Sequence, residues 1–142
     1  MENDDTPSDS SIAATGGIQG ARMAHFNRHC DDCERLLGNR YEEVNRWVDE
    51  LFATYGPRHR RFRHHVEGII EAQMKFGGDA WRAALIHILR DCGKVPKETD
   101  YIVGVEIAPE YLEYDSLNET ARDKFDKAVA EWTKKLRLAL EV

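Results

Sequence analysis

His87 and Asp91 stand four residues apart in AWRAALIHILRDC, an otherwise apolar stretch. On a helix that spacing puts both side chains on one face, one turn apart. A neutral imidazole and a carboxylate so placed can chelate one divalent ion. Equally, Asp91 can orient His87 for an outside ligand, or the pair can tie the helix to a neighbour by hydrogen bonds. Burying either group among leucines and isoleucines without partners is costly, which favours a specific role.

A second source of chemistry is RHRRFRHHVEGII, residues 58–70. Read as the start of one helix over about 58–76, it places Arg60, His64 and Glu67 on a single polar stripe. His65 then points about 100° away. Only one of the adjacent histidines faces an ion lying deep against such a helix, unless the site is wide or binuclear, so His64 and His65 both stand as candidate ligands. Glu67 is the candidate outer support. Four arginines at a helix N-terminus oppose its dipole and call for an anion or partner carboxylates. Arg60 and Arg63 are accordingly the candidate phosphate or anion ligands.

Two further stretches can contribute. His25, His29 and Cys33 follow one another at spacings of four, and Cys30–Cys33 forms a CxxC. A closed zinc site needs four ligands, and no second CxxC exists. His29 is therefore better placed in a site shared with the later helices. Asp49, in NRWVDELF, lies at the edge of an apolar helical face. It can reach a neighbouring helix as a ligand or as an arginine partner. The set His29, Asp49, His64, His65, His87 and Asp91 suits a divalent metal ion, with Zn, Mn, Fe and Ni not distinguished. No P-loop, GxGxxG or GxSxG pattern occurs.

The elements that must position these groups are mostly helical. Stretches at about 24–37, 41–55, 58–76, 80–92 and 118–140 carry apolar residues at spacings of three and four, with Gly38-Asn39, Gly56-Pro57, Gly77-Gly78 and Gly93 as stops. Asp79 and Asn118 are in place to cap the fourth and last helices. YIVGVEI at 101–107 suits one short strand or an extended arm. The expected architecture is mainly α: a compact bundle of about four to five helices. Residues 1–22 read as a flexible acidic tail, 23–115 as the helical core domain, and 116–142 as a C-terminal helix packing on the core or on a partner.

The chain has 142 residues, 42% hydrophobic and 32% charged, with a net charge of −6. That suits one domain with a modest core. The tail supplies about half of the negative charge, and the balance gives no general attraction to nucleic acid, which is not an expected partner. No apolar run approaches the roughly 20 residues that span a bilayer, and the N-terminus lacks the features of a secretory signal. A cytoplasmic setting is expected, the host cytoplasm if the protein is phage-encoded. Three cysteines, an odd number, suit free buried thiols. The tail and the 118–140 helix are the expected surfaces for a protein partner or for homo-oligomerisation.

MAHFNRHCDDCERLLG, NRWVDE, RHRRFRHHVEGI, KFG and HILRDCGKVP, spread over about residues 23–100, resemble a family of small phage and bacterial proteins, a domain of unknown function. The resemblance implies that His29, Trp47, Asp49, His59, Arg60, Arg63, His64, His65, Glu67, Gly68, His87, Asp91 and Pro96 are family positions. It brings no activity. A weaker resemblance links His65-Val66 and ALIHILRDCGKVP to HD phosphohydrolases, which are all-α and use divalent metals to cleave phosphate esters. Arg90 stands where the histidine of their His-Asp pair belongs, so His87 would have to substitute from one turn back. Two readings follow. One is a metal-binding helical domain, hydrolase-like on a phosphate-containing substrate. The other is a non-catalytic phage or accessory protein, an assembly component or inhibitor, in which the His/Arg cluster is structural.

Overall fold

The computed structural model describes residues 13–102 and 119–140, and among these it is helical throughout its regular structure. Helix α1 spans Ala13–Leu37, α2 Glu42–Asp49, α3 Phe52–Tyr55, α4 Arg60–Arg63, α5 Val66–Phe76, α6 Ala80–Cys92, α7 Glu98–Ile102 and α8 Glu119–Leu140. A 3-10 turn, Gly56–His59, joins α3 to α4.

Helix α6 is the axis of the fold. It packs against α1, α2, α5 and α8, and every residue of it except Arg82 is buried. The core around it combines Val44, Trp47 and Val48 of α2, Ile69 and Ala72 of α5, and Phe125, Val129 and Leu136 of α8. The last helix thus spends its apolar stripe on the chain's own core. No helix among the described residues is long and apolar enough to cross a membrane.

Several expected boundaries move. α1 begins at Ala13, so residues 13–22, expected as tail, are helical; residues 1–12 lie outside the described part. Tyr101 and Ile102 end the short helix α7, and 103–107 of the expected strand or arm lie outside the described residues, as does the expected cap Asn118. Asp79 sits before α6 but its side chain makes no capping bond. Gln73 replaces it: its Oε1 accepts from Trp81 N at 3.0 Å and its Nε2 donates to Gly78 O.

The most consequential departure is in the basic stretch. The helix expected over 58–76 is three pieces, because His64 (ψ 54) leaves the helical region and His65 (φ −158, ψ 178) is extended. Two bonds hold the break. The His65 ring accepts from Gly68 N and so caps α5, and Val66 N donates to Pro96 O. The polar stripe Arg60–His64–Glu67 therefore does not form.

Gly68 lets α5 approach the preceding segment closely. A Cβ there would stand 2.6 Å from the Arg63 carbonyl carbon, with the carbonyl oxygen nearer still. Backbone cannot give way as a side-chain end can. Gly68→Ala is expected to cost about 1–3 kcal/mol, and in a domain of this size to lower Tm by about 2–12 °C. Thermal denaturation of the variant checks this; an unchanged Tm would show that the α4–α5 crossing is not held as described.

Candidate metal centre

Five segments deliver six side chains to one buried point. α1 supplies His29, the end of α2 supplies Asp49, the 3-10 turn supplies His59, the residue after α4 is His64, and α6 supplies His87 and Asp91. All four imidazoles and Asp91 are buried. Asp49 keeps a solvent-facing edge, with 27% of its side chain exposed.

The Nε2 atoms converge on the two carboxylates. His29 Nε2 lies 3.1 Å from Asp91 Oδ1. His64 Nε2 lies 3.1 Å from Asp91 Oδ2 and 3.2 Å from Asp49 Oδ1. His87 Nε2 lies 3.2 Å from Asp49 Oδ1 and 3.3 Å from Asp91 Oδ2. His59 Nε2 completes the set at 3.0 Å from Asp49 Oδ1. Two groups emerge whose ligand atoms all lie within 4.8 Å of one another: His29, Asp49, His87 and Asp91, and Asp49, His59 and His64.

Distance alone does not separate hydrogen bonds from ligands sharing an ion. With ligand atoms about 2.1 Å from a first-row ion, neighbours sit about 3.0 Å apart in an octahedron and about 3.4 Å apart in a tetrahedron. The contacts here, 3.0 to 3.3 Å, fall in that range. Orientation is more informative. Despite their proximity to carboxylate oxygens, His29 Nε2 and His87 Nε2 make no hydrogen bond.

The tautomers sharpen the point. Asn45 donates through Nδ2 to the carbonyls of Arg40 and Tyr41, so its Oδ1 accepts, and His87 Nδ1 donates to it at 2.9 Å. His59 Nδ1 donates to Gly56 O at 2.8 Å. In a neutral ring, both histidines then present an Nε2 lone pair to an anionic oxygen. That arrangement is repulsive unless a proton or a metal cation lies between. Fixing the far nitrogen on an oxygen acceptor is also what orients a metal-ligating imidazole.

Without a cation the cluster must find charge balance among its own groups. Burial works against any charge here. For Asp49 it is outweighed by His87, His59 and His64, and for Asp91 by His29, His64 and His87, so both carboxyls are held well below their usual range. The rings of His29 and His87 stack at 3.5 Å, and both cannot carry charge. Burial pushes His29 down to about 4. Burial opposes charge on His87 too, but Asp49 and Asp91 lift it to about 9.

Of the expected ligands, His29, Asp49, His64, His87 and Asp91 come together. His65 does not join them. Its Nδ1 accepts from Gly68 N and its Nε2 donates to Arg61 O, so both nitrogens are committed to backbone groups, one as the α5 cap and one on α4. Glu67, expected as an outer support, is half exposed, accepts from Glu98 N and lies against His65. Arg63, expected to bind an anion, donates to Trp47 O at 2.6 Å and to Glu50, with its guanidinium 4.2 Å over the Trp47 ring. Arg60 keeps a buried Nε with no hydrogen-bond partner, and its charge acts on His25, Cys92 and Tyr101.

Cys30 and Cys33 are free and buried, near the Asn45 amide at 3.8 and 3.5 Å. Burial raises their thiols to about 11 and about 12, so neither offers a thiolate. Sequence reasoning missed His59 as a member of the cluster and Asn45 as the group that holds the His87 ring. A signal existed for Asn45: it is a polar residue on the apolar face of α2, one turn before Asp49. For His59 the family resemblance marked the position, but its place in the cluster depends on the Gly56 turn.

A family model described as a domain of unknown function (DUF6915) matches residues 24–111 and so includes the whole cluster. No curated protein and no solved structure matches the chain. The likeness to HD phosphohydrolases gains no support from these comparisons. Arg90, at the decisive position of that pattern, is buried and forms a two-pronged pair with Asp32 at 3.0 and 2.8 Å.

The proton on His87 has a consequence for stability. A histidine raised above its unfolded value near 6.5 stabilises the fold fully below that pH, and the contribution is lost as pH rises through about 9. His29 works the other way: the unfolded chain takes its proton first, so stability falls as pH drops from 6.5 towards 4. The chelator-treated protein is expected to have its highest Tm near pH 6.5 and to lose stability on both sides. A divalent ion takes the place of the His87 proton, so its addition should remove the His87 part of the alkaline decline. Melting curves from pH 4 to 9, with chelator and with added Zn²⁺ or Mn²⁺, check this; a chelated profile flat between 6.5 and 9 would contradict a protonated His87.

Proposed function

We propose that this chain, which belongs to the DUF6915 family, binds a divalent first-row metal ion between His29, Asp49, His87 and Asp91 and uses it in hydrolytic chemistry on a phosphate-containing substrate. The observation that carries the metal reading is the His87 imidazole. Asn45 fixes its Nδ1 as a donor, and the Nε2 it leaves makes no hydrogen bond while lying 3.2 and 3.3 Å from two carboxylate oxygens. Nitrogen and carboxylate donors in this mixture suit Zn, Mn, Fe or Ni. An ion held by these residues would supply Lewis acidity and a water of lowered pKa.

The chain's own groups define the rest. The exposed edge of Asp49 is the solvent approach to an otherwise buried centre. Arg60, with its unpartnered buried Nε, is the group offered to an anion. Arg63 holds the end of α2, and with it Asp49, through Trp47 O and Glu50.

A second reading rests on the contacts that do satisfy hydrogen-bond geometry, His59 to Asp49 at 3.0 Å and His64 to Asp91 at 3.1 Å. In it, a protonated His/Asp network braces a non-catalytic accessory protein. Its partner surface would be the outer face of α8 around the exposed Leu138, because Phe125, Val129 and Leu136 are buried in the chain's own core.

Metal analysis after chelation and reloading separates the two. The metal reading expects at least one equivalent of Zn, Mn, Fe or Ni per chain and a raised Tm, with His87→Ala losing that equivalent. Asn45→Ala, which frees the ring without removing a ligand, is expected to weaken metal binding by about 10–100-fold. Absence of stoichiometric metal, with Tm indifferent to metal addition, would leave the structural network as the reading.

A further inference from the structure

We propose that the centre takes two divalent ions, with Asp49 as the carboxylate they share. This inference rests on the metal-binding reading above and goes beyond its single ion. The ligand atoms divide into two compact groups, one of His29, Asp49, His87 and Asp91 and one of Asp49, His59 and His64, and only Asp49 belongs to both.

One ion leaves the second group unresolved. An ion in the first group engages His87, but His59 still faces Asp49 Oδ1 at 3.0 Å. Its Nδ1 hydrogen is committed to Gly56 O, so in a neutral form the ring turns a lone pair on that oxygen, whereas a doubly protonated ring donates to it. His64 Nε2 lies 3.2 Å from the same Asp49 oxygen, and its Nδ1 is buried without a hydrogen-bond partner. A cation between Asp49, His59 and His64 would turn the His59 contact from lone pair against anion into donor towards metal, and His64, whose Nε2 otherwise hydrogen-bonds Asp91 Oδ2 at 3.1 Å, would offer that nitrogen in place of its hydrogen. Forcing all six residues on to one ion would instead fill its coordination shell and leave no place for water or substrate.

Asp49 is suited to the shared role. Its Oδ1 is approached by three imidazoles, and it alone of the two carboxylates has an edge open to solvent. Charge gives the ligand class. Two divalent ions against two carboxylates leave a surplus of about two positive charges, which needs an anion from solution, and a phosphate group can span two ions about 3.5–4 Å apart.

The test is stoichiometry on the full-length chain. Chelator-treated protein is titrated with Mn²⁺ and assayed for bound metal, and its paramagnetic resonance spectrum is recorded. Two equivalents per chain with an exchange-coupled spectrum are expected. His59→Ala should retain one equivalent with an uncoupled six-line spectrum, and inorganic phosphate should perturb the wild-type spectrum but not that of the variant. His59→Gln serves as a second variant if His59→Ala misfolds, and the wild-type stoichiometry decides if both do. Saturation of the wild type at one equivalent, unchanged by loss of His59, overturns the pair and leaves the single-ion reading intact. Zero equivalents overturns both.

Discussion

Two carboxylates, Asp49 and Asp91, meet inside a helical core, and their charge has to be answered there. Water cannot do it for Asp91, which is almost fully buried. An isolated carboxylate in such a setting is costly by many times the net stability of a small domain. The fold answers with four imidazoles aimed at the pair. The docking of α1, the register of α2 against α6 and the break after α4 can all be read as conditions for bringing them there. A core of this kind is not chosen for stability. Leucines in the same volume would pack at no electrostatic cost.

The break at His64 and His65 shows how adjacent residues of one type take opposite duties. His65 spends both ring nitrogens on backbone, one as a cap for α5 and one on the α4 carbonyl of Arg61. The cap fixes where α5 starts, Gly68 permits the crossing, and the resulting corner turns His64 inward to the carboxylates. The neighbouring arginines divide likewise. Arg63 is a strut on Trp47, while Arg60 keeps a buried Nε without a hydrogen-bond partner.

Much of this was legible in the sequence because it depends on local rules. Glycine stops and three-four periodicity located the helices, and the i, i+4 spacing of His87 and Asp91 marked the face where the cluster forms. The rest depends on tertiary pairing that no local rule records. Nothing near residue 64 says that Pro96 will accept from Val66 and interrupt a good helical pattern. Asp79 looks like a cap, yet Gln73 from the preceding helix takes the bond. His59 is delivered by a glycine turn with φ 60, and its target lies ten residues back. The expectation about the two adjacent histidines rests on one continuous helix, and in the structure a break sends His64 to the carboxylates and His65 to backbone.

The groups of the centre come from far apart along the chain, from His29 on the first helix to Asp91 on the sixth. In polymer terms, an ion gripped by both ends of that span is a removable cross-link. Closing a loop of about 60 residues removes about 4 kcal/mol of chain entropy from the unfolded ensemble, on the same accounting used for a disulfide. The cell's supply of metal would then set how firmly the first helix stays docked, and a chain starved of the ion would loosen there before it loosened elsewhere.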